Sequence, residues 1–209
     1  LYGLPKEKCE LLLMGSDDEL ASMASCEDMK RAIREKYNIG KEDFLIVTGG
    51  KINKWRPQVV LLEQAITKMG RSNIKLLIFG SVVPELEEQV MSLCGDHIKY
   101  IGWLSVEDSY GVIGAADLAV YPGGHSTLWE QTAGQGIPMV LKHWQGITHL
   151  DLGGNIKYLY NDSIEEISRV LLEIVDSPRI YIEMSKGAFD KKDIFSYRNI
   201  AEKCLQRRV

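Results

Sequence analysis

From Phe44 onward the chain repeats one pattern: a short, nearly continuous apolar run, then a stretch with helical spacing. The runs are Phe44–Thr48, Ile74–Phe79, Ile98–Ile101, Leu118–Tyr121, Pro138–Leu141 and Ile156–Tyr160. A strand with one face in water alternates apolar and polar side chains, so a run that is apolar throughout belongs to a strand covered on both faces. Between the runs, Pro57 suits a first helical turn, and Val60, Leu61, Ala65 and Met69 follow at helical spacing. Pro84 opens another helical stretch that lasts to Cys94-Gly95, and Ser105-Val-Glu-Asp108 and Ser163-Ile-Glu-Glu166 both read as capping boxes. Strands alternating with helices predict an α/β fold: a Rossmann-like, doubly wound, parallel six-stranded sheet.

The segments around this core read differently. Residues 1–43 form a lead-in, in which Lys8–Met14 reads as a strand, Gly15-Ser-Asp-Asp-Glu19 as an acidic turn and Cys26–Tyr37 as an amphipathic helix. Residues 44–177 form the Rossmann-like core. Residues 178–209 supply two helices, about 178–188 and 195–207, that pack on it through Phe195, Tyr197 and Ile200.

Charge and cysteine usage narrow the function. A net charge of −4 argues against a nucleic-acid footprint, and the Arg207-Arg208 pair reads as a solvated helix end. Cys9, Cys26, Cys94 and Cys204 are scattered without CxxC or metal-ligand spacing, which fits reduced thiols in a cytoplasmic protein. The apolar runs are too short to span a bilayer, and no basic-then-apolar signal opens the chain. The start at Leu1-Tyr2-Gly3, without Met, points to a piece of something longer.

In an open sheet of strand order 3-2-1-4-5-6, ligands bind beyond the carboxyl ends of strands 1 and 4, where the winding reverses. Strand 1 leads into Gly49-Gly-Lys51-Ile-Asn-Lys54-Trp-Arg56, and strand 4 into Pro122-Gly-Gly-His-Ser-Thr127. Cations on one loop face a glycine-rich helix opening on the other, whose first amides lack intrahelical partners. The matching guest is a diphosphate, bound by Gly50, Lys51, Arg56, Gly124, His125, Ser126 and Thr127; the family resemblance given below further implies that the Gly123-Gly124 loop lies beside a donor sugar. Glu130, one turn further in, is placed to accept hydrogen bonds from a ribose diol. His125 either donates to phosphate or simply precedes the helix cap. In Gly102-Trp103-Leu104 the indole either flanks a nucleobase or packs on the neighbouring helix.

Other chemistries lack their signatures. No GxGxxG follows strand 1, GxxxxGK[ST] is absent, and there is neither a GxSxG elbow nor a Ser-His-Asp set. His143, Trp144 and His149 lie on a polar loop without ligand spacing for a metal, so no metal and no cofactor are expected. His97 reads as a surface residue, and Asp151 with Gly153-Gly-Asn155 as a structural turn.

Together these residues resemble the carboxyl-terminal, donor-binding domain of GT-B glycosyltransferases, especially the group-1 class (family four), over essentially the whole chain. Leu4–Asp18 is similar to that family's lead-in, and Val47-Thr-Gly-Gly-Lys51, with Arg56 five residues on, resembles its Gly-Arg-Leu…Lys-Gly element, the two cations exchanged. Ile98–Leu104 resembles the segment that meets the base. Glu130-Gln-Thr-Ala-Gly-Gln-Gly-Ile-Pro138 is similar to the Glu-Ala-x-Ala-x-Gly-x-Pro motif whose Glu holds the ribose, and Phe195–Ala201 resembles the closing Phe-Ser-Trp-x-x-Ile-Ala helix. The second Glu that the family carries eight residues before the ribose Glu is here Pro122. The Gly-Gly-x-x-Ser/Thr-x-x-Glu turn is closer to other GT-B branches, including inverting transferases and sugar-nucleotide epimerases. The resemblance implies a UDP- or GDP-sugar donor, a metal-independent transfer, and an acceptor (glycan, lipid or small molecule) held by an amino-terminal domain missing from this chain. Peripheral membrane association of the full protein stays open. The alternatives are half of a sugar-nucleotide epimerase and a non-catalytic nucleotide-binding module.

Overall fold

Each apolar run becomes a strand because its successive residues have opposite faces to bury. The computed structural model describes residues 3, 5, 9, 12–53 and 58–206. Its strands are β1 (Phe44–Ile52), β2 (Ile74–Val82), β3 (Ile98–Tyr100), β4 (Leu118–Tyr121), β5 (Met139–Lys142) and β6 (Ile156–Leu159). They form one six-stranded sheet of order β3-β2-β1-β4-β5-β6, and every pairing is parallel.

Helices cover both faces: α1 (Asp18–Ala24), α2 (Glu27–Lys36), α3 (Gln58–Met69), α4 (Pro84–Ser92), α5 (Val106–Gly114), α6 (Leu128–Gly134), α7 (Ile164–Val175), α8 (Pro178–Lys191) and α9 (Tyr197–Gln206). Ile46, Ile78, Val120 and Val140 pack with Leu62 of α3, Val90 of α4 and Leu171 of α7. Their strand neighbours Leu45, Val47, Leu77, Ala119 and Leu141 turn the other way, onto Ile33 of α2, Ile113 of α5 and Trp129 of α6. That alternation builds two cores from strands that read as uniformly apolar. Among the described residues no helix is long and apolar enough to cross a membrane.

Several local expectations change. Gly15–Glu19 is not a free turn: Asp17 caps α1, its carboxylate accepting from the amides of Glu19 (3.0 Å) and Leu20 (2.9 Å). Of the expected strand Lys8–Met14, residues 12–14 are not in a strand, and Lys8, Glu10 and Leu11 lie outside the described residues. The lead-in is held by a bridge instead, Ser16 to Ser196, with the Tyr110 hydroxyl accepting from the Asp17 amide at 2.8 Å. Only half of each capping box forms. Ser105 and Ser163 accept from the amides of Asp108 and Glu166, at 3.0 and 3.2 Å. Glu166 reaches further back than a box requires, to the amides of Tyr160 (3.1 Å) and Asn161 (2.6 Å), and so ties β6 to α7. Pro57 and the Arg207-Arg208 pair fall outside the described residues.

Candidate functional site

The switch point predicted between strands 1 and 4 is present, because β1 pairs with β2 on one side and β4 on the other. The paired strands continue four residues past the expected end of the first run, so Gly49–Ile52 belongs to β1 rather than to a loop. Two glycines make this extension fit. Gly50 pairs with Gly80, and a Cβ on Gly80 would lie 2.0 Å from the Gly50 carbonyl oxygen. Both adopt positive φ, 111° and 116°, which L side chains rarely tolerate. The floor of the site is therefore bare backbone.

Above it lies a cleft of about 540 Å³, bounded by Gly50, Lys51 and Gly80 below, Trp103 and Leu104 on one rim, and Ser126, Thr127, Leu128 and Gln131 on the other. The Gly80 amide donates to the Gly102 carbonyl at 2.8 Å, which fixes the start of the Trp103 rim. Trp103 is 77% exposed, so of its two readings packing on a helix is the one the structure removes. A second, narrow gap of about 20 Å³ separates Gly49 and Lys51 from Gly123, Gly124 and Ser126. The basic strand end and the glycine turn are thus neighbours. Among the described residues Lys51 makes no ion pair, and the amides of Gly124, Ser126 and Thr127 donate to no described partner. Arg56 and Lys54 lie outside the described residues.

Glu130, expected at the ribose, lies behind the cleft wall. It is 1% exposed and does not line the cleft. Its Oε1 is 2.7 Å from His125 Nε2 and 2.9 Å from His149 Nε2, while Oε2 is buried without a described partner. Helical geometry explains the displacement. Leu128 and Gln131, three apart, share the cleft-facing side of α6, whereas Trp129, Glu130 and Ala133 point into the protein. Trp129, fully buried and stacked on Tyr121, holds this rotation, aided by the Tyr121 hydroxyl and Thr132 Oγ1 at 2.8 Å. Gln131, not singled out in the sequence, is the polar side chain that α6 turns toward the cleft; the spacing from Leu128 was the available signal.

Of the two readings of His125, neither is complete. It sits edge-on to Trp129 (5.1 Å between centroids) and against Glu130, and the helix cap is Thr127, which makes no side-chain cap bond. His143 and His149 separate, since His143 packs against Tyr160 (4.9 Å between centroids) and edge-on to Tyr158 (5.4 Å). Nothing in the sequence spacing marks His149 as a neighbour of His125. His97 is exposed beside Lys75, at 3.1 Å. Asp151 accepts from the Gly153 amide (3.0 Å) and Asn155 from that of Leu152 (2.7 Å), so this segment is a structural turn.

No family profile and no curated protein matches the chain. Solved structures do. A protein from Anabaena, Alr3699/HepE, in complex with UDP and glucose superposes at TM-score 0.74 and 14% identity, covering 98% of this chain and 57% of that one. The C-terminal domain of a group 1 family glycosyl transferase, LpcC of Francisella tularensis, gives 0.64 and 14%, covering 82% of this chain and 94% of that domain. A putative UDP-N-acetylglucosamine 2-epimerase from Listeria monocytogenes gives 0.69 and 16%, covering 88% and 49%. The chain therefore spans about half the length of the longer structures it matches. Identities this low establish architecture: the chain has the Rossmann-like fold of the carboxyl-terminal half of GT-B glycosyltransferases.

Proposed function

We propose that this chain is the donor-binding half of a glycosyltransferase and takes a nucleoside-diphosphate sugar. The observation that carries the reading is the cleft at the switch point, where a lysine and amides without partners among the described residues face an exposed indole. A UDP-bound neighbour with the same fold supports it. In this reading Lys51, the Gly50 backbone and the amides of Gly124–Thr127 hold the diphosphate, with Arg56 and His125 as further donors. Gly123 and Gly124 leave room for the donor sugar. Trp103 covers the base, whose edge bonds to backbone at Gly102 and Leu104. The ribose falls to Gln131, which faces the cleft, rather than to Glu130, which is turned away. As the glycosidic bond breaks, negative charge grows on the departing diphosphate, and donors already fixed around it lower the barrier. The acceptor comes from a second domain across the cleft.

Calorimetry with UDP and GDP tests this. Lys51→Ala should weaken the preferred nucleotide by about 1.5–3 kcal/mol, the range for a charge-assisted hydrogen bond. An affinity identical in the variant removes the diphosphate site. The Gly123-Gly124 turn and the Listeria neighbour favour a second reading, half of a sugar-nucleotide epimerase. NMR of the products formed by the protein together with its acceptor domain separates the two: an epimerised nucleotide sugar without acceptor defines an epimerase.

A further inference from the structure

We propose that His125, Glu130 and His149 bind one divalent transition-metal ion of the zinc class. The three ligands come from three places in the chain: the loop after β4, helix α6, and the loop between β5 and β6. Their ligand atoms all lie within 4.8 Å of one another, and both imidazole Nε2 atoms close on the same carboxylate oxygen. Two imidazoles and one carboxylate form a donor set that suits zinc, nickel or copper, whereas magnesium and calcium prefer oxygen alone.

A metal-free clasp explains this cluster poorly. Each neutral imidazole would donate its Nε2 proton to Oε1, leaving Oε2 buried and without a described partner. A buried carboxylate oxygen with no donor is costly, and an ion bound at the site is one of the few things that relieves it. The cluster is also accessible. The Glu130 side chain is enclosed at 1% exposure, but the side chains of His125 and His149 are 31% and 22% exposed, so an ion enters from their side. Ligand atoms held about 2.0–2.1 Å from a tetrahedral ion lie about 3.3 Å apart, so the two N···O contacts open by roughly half an ångström and the two imidazole nitrogens, which now lie within 4.8 Å, draw to that same separation. Three protein ligands leave a coordination position for water or an anion's oxygen. The inference does not rest on the donor reading: of the three ligands only His125 has a part in both, and Glu130 and His149 do not line the cleft.

The test starts from metal-stripped, reduced protein without nucleotide. Zn²⁺ calorimetry should give one site per chain, and Co²⁺ should give the visible bands of a tetrahedral nitrogen/oxygen site without a thiolate charge-transfer band. His149→Ala and Glu130→Gln should each weaken Zn²⁺ binding by about 100-fold, while His97→Ala should leave it unchanged. His149 lies on a loop, so its variant carries the test if Glu130→Gln fails to fold. Failure to bind one equivalent overturns the proposal, as does binding that survives His149→Ala or a thiolate band from the cysteines. UDP titration of the same samples keeps the two readings apart: zinc binding without UDP binding upholds this site and removes the donor site, and the reverse result does the opposite.

Discussion

The two ends of the sheet each carry a hollow, and the larger one is not the better candidate. At the amino ends of the strands lies a space of about 710 Å³, lined by Arg34, Ile39, Asp117, Pro138 and Tyr181. At the carboxyl ends lies the cleft of about 540 Å³. The charged pair at the centre of the first, Arg34 and Asp117, is spent on the fold. Arg34 donates to the carbonyls of Ala115 (3.2 Å), Gly40 (3.1 Å) and Asp43 and pairs with Asp117 at 3.3 Å. Asp117 in turn accepts from the Leu45 amide at 2.7 Å and the Tyr181 hydroxyl at 3.4 Å. The second hollow keeps Lys51 and the amides of Ser126 and Thr127 without described partners. A ligand gains most where hydrogen-bonding capacity is unspent and reachable, because it then satisfies groups that water alone was serving.

Reachability is the part of this comparison that Glu63 tests, with the widest swing in stability. Its carboxyl is fully buried on α3 and lacks a described partner, and burial raises its pKa to about 8 from an ordinary 4.5. No ligand reaches it, so the group acts on stability alone. Below pH 4.5 the carboxyl is protonated in folded and unfolded chains alike. From there to about pH 8 only the unfolded chain ionises, and each pH unit costs about 1.4 kcal/mol of folding stability; above about 8 the loss levels off. Urea unfolding across this range should show that decline, and Glu63→Gln should flatten it. A slope unchanged in the variant would assign the decline to another group.

Next in size is the amino-end knot. Arg34→Ala should cost about 3 kcal/mol in urea unfolding, since it strands Asp117 and three carbonyls together, and should leave UDP affinity untouched. A change in nucleotide affinity would break the distinction between the two ends. The smallest effects belong to the cleft. Trp103→Ala and Gln131→Ala should each weaken UDP binding by about 1 kcal/mol, roughly fivefold, with little change in stability. If Glu130→Gln lowers UDP affinity more than Gln131→Ala does, the ribose belongs to the carboxylate after all, and α6 must rotate on binding.

The sheet was legible because periodicity and burial are both written locally. Apolar runs at Phe44–Thr48, Ile74–Phe79 and Leu118–Tyr121 had to be strands covered on both faces, and the order follows from how such units wind. Boundaries were less legible. Gly49–Ile52 joins β1 because Gly80 on the neighbouring strand leaves room, and Asp17 becomes a cap because α1 has α5 to pack against.

Sequence alone determined the fold class, the switch point and the composition of the two segments that meet there, the end of β1 and the glycine turn, since each depends on residues near one another in the chain. Tertiary structure decided which side chains face the cleft. Glu130 and Gln131 are adjacent in sequence but about 100° apart around a helix, and burying Trp129 sends one inward and leaves the other at the rim. The same rotation brings Glu130 to His149, a contact between residues nineteen apart that no local pattern encodes.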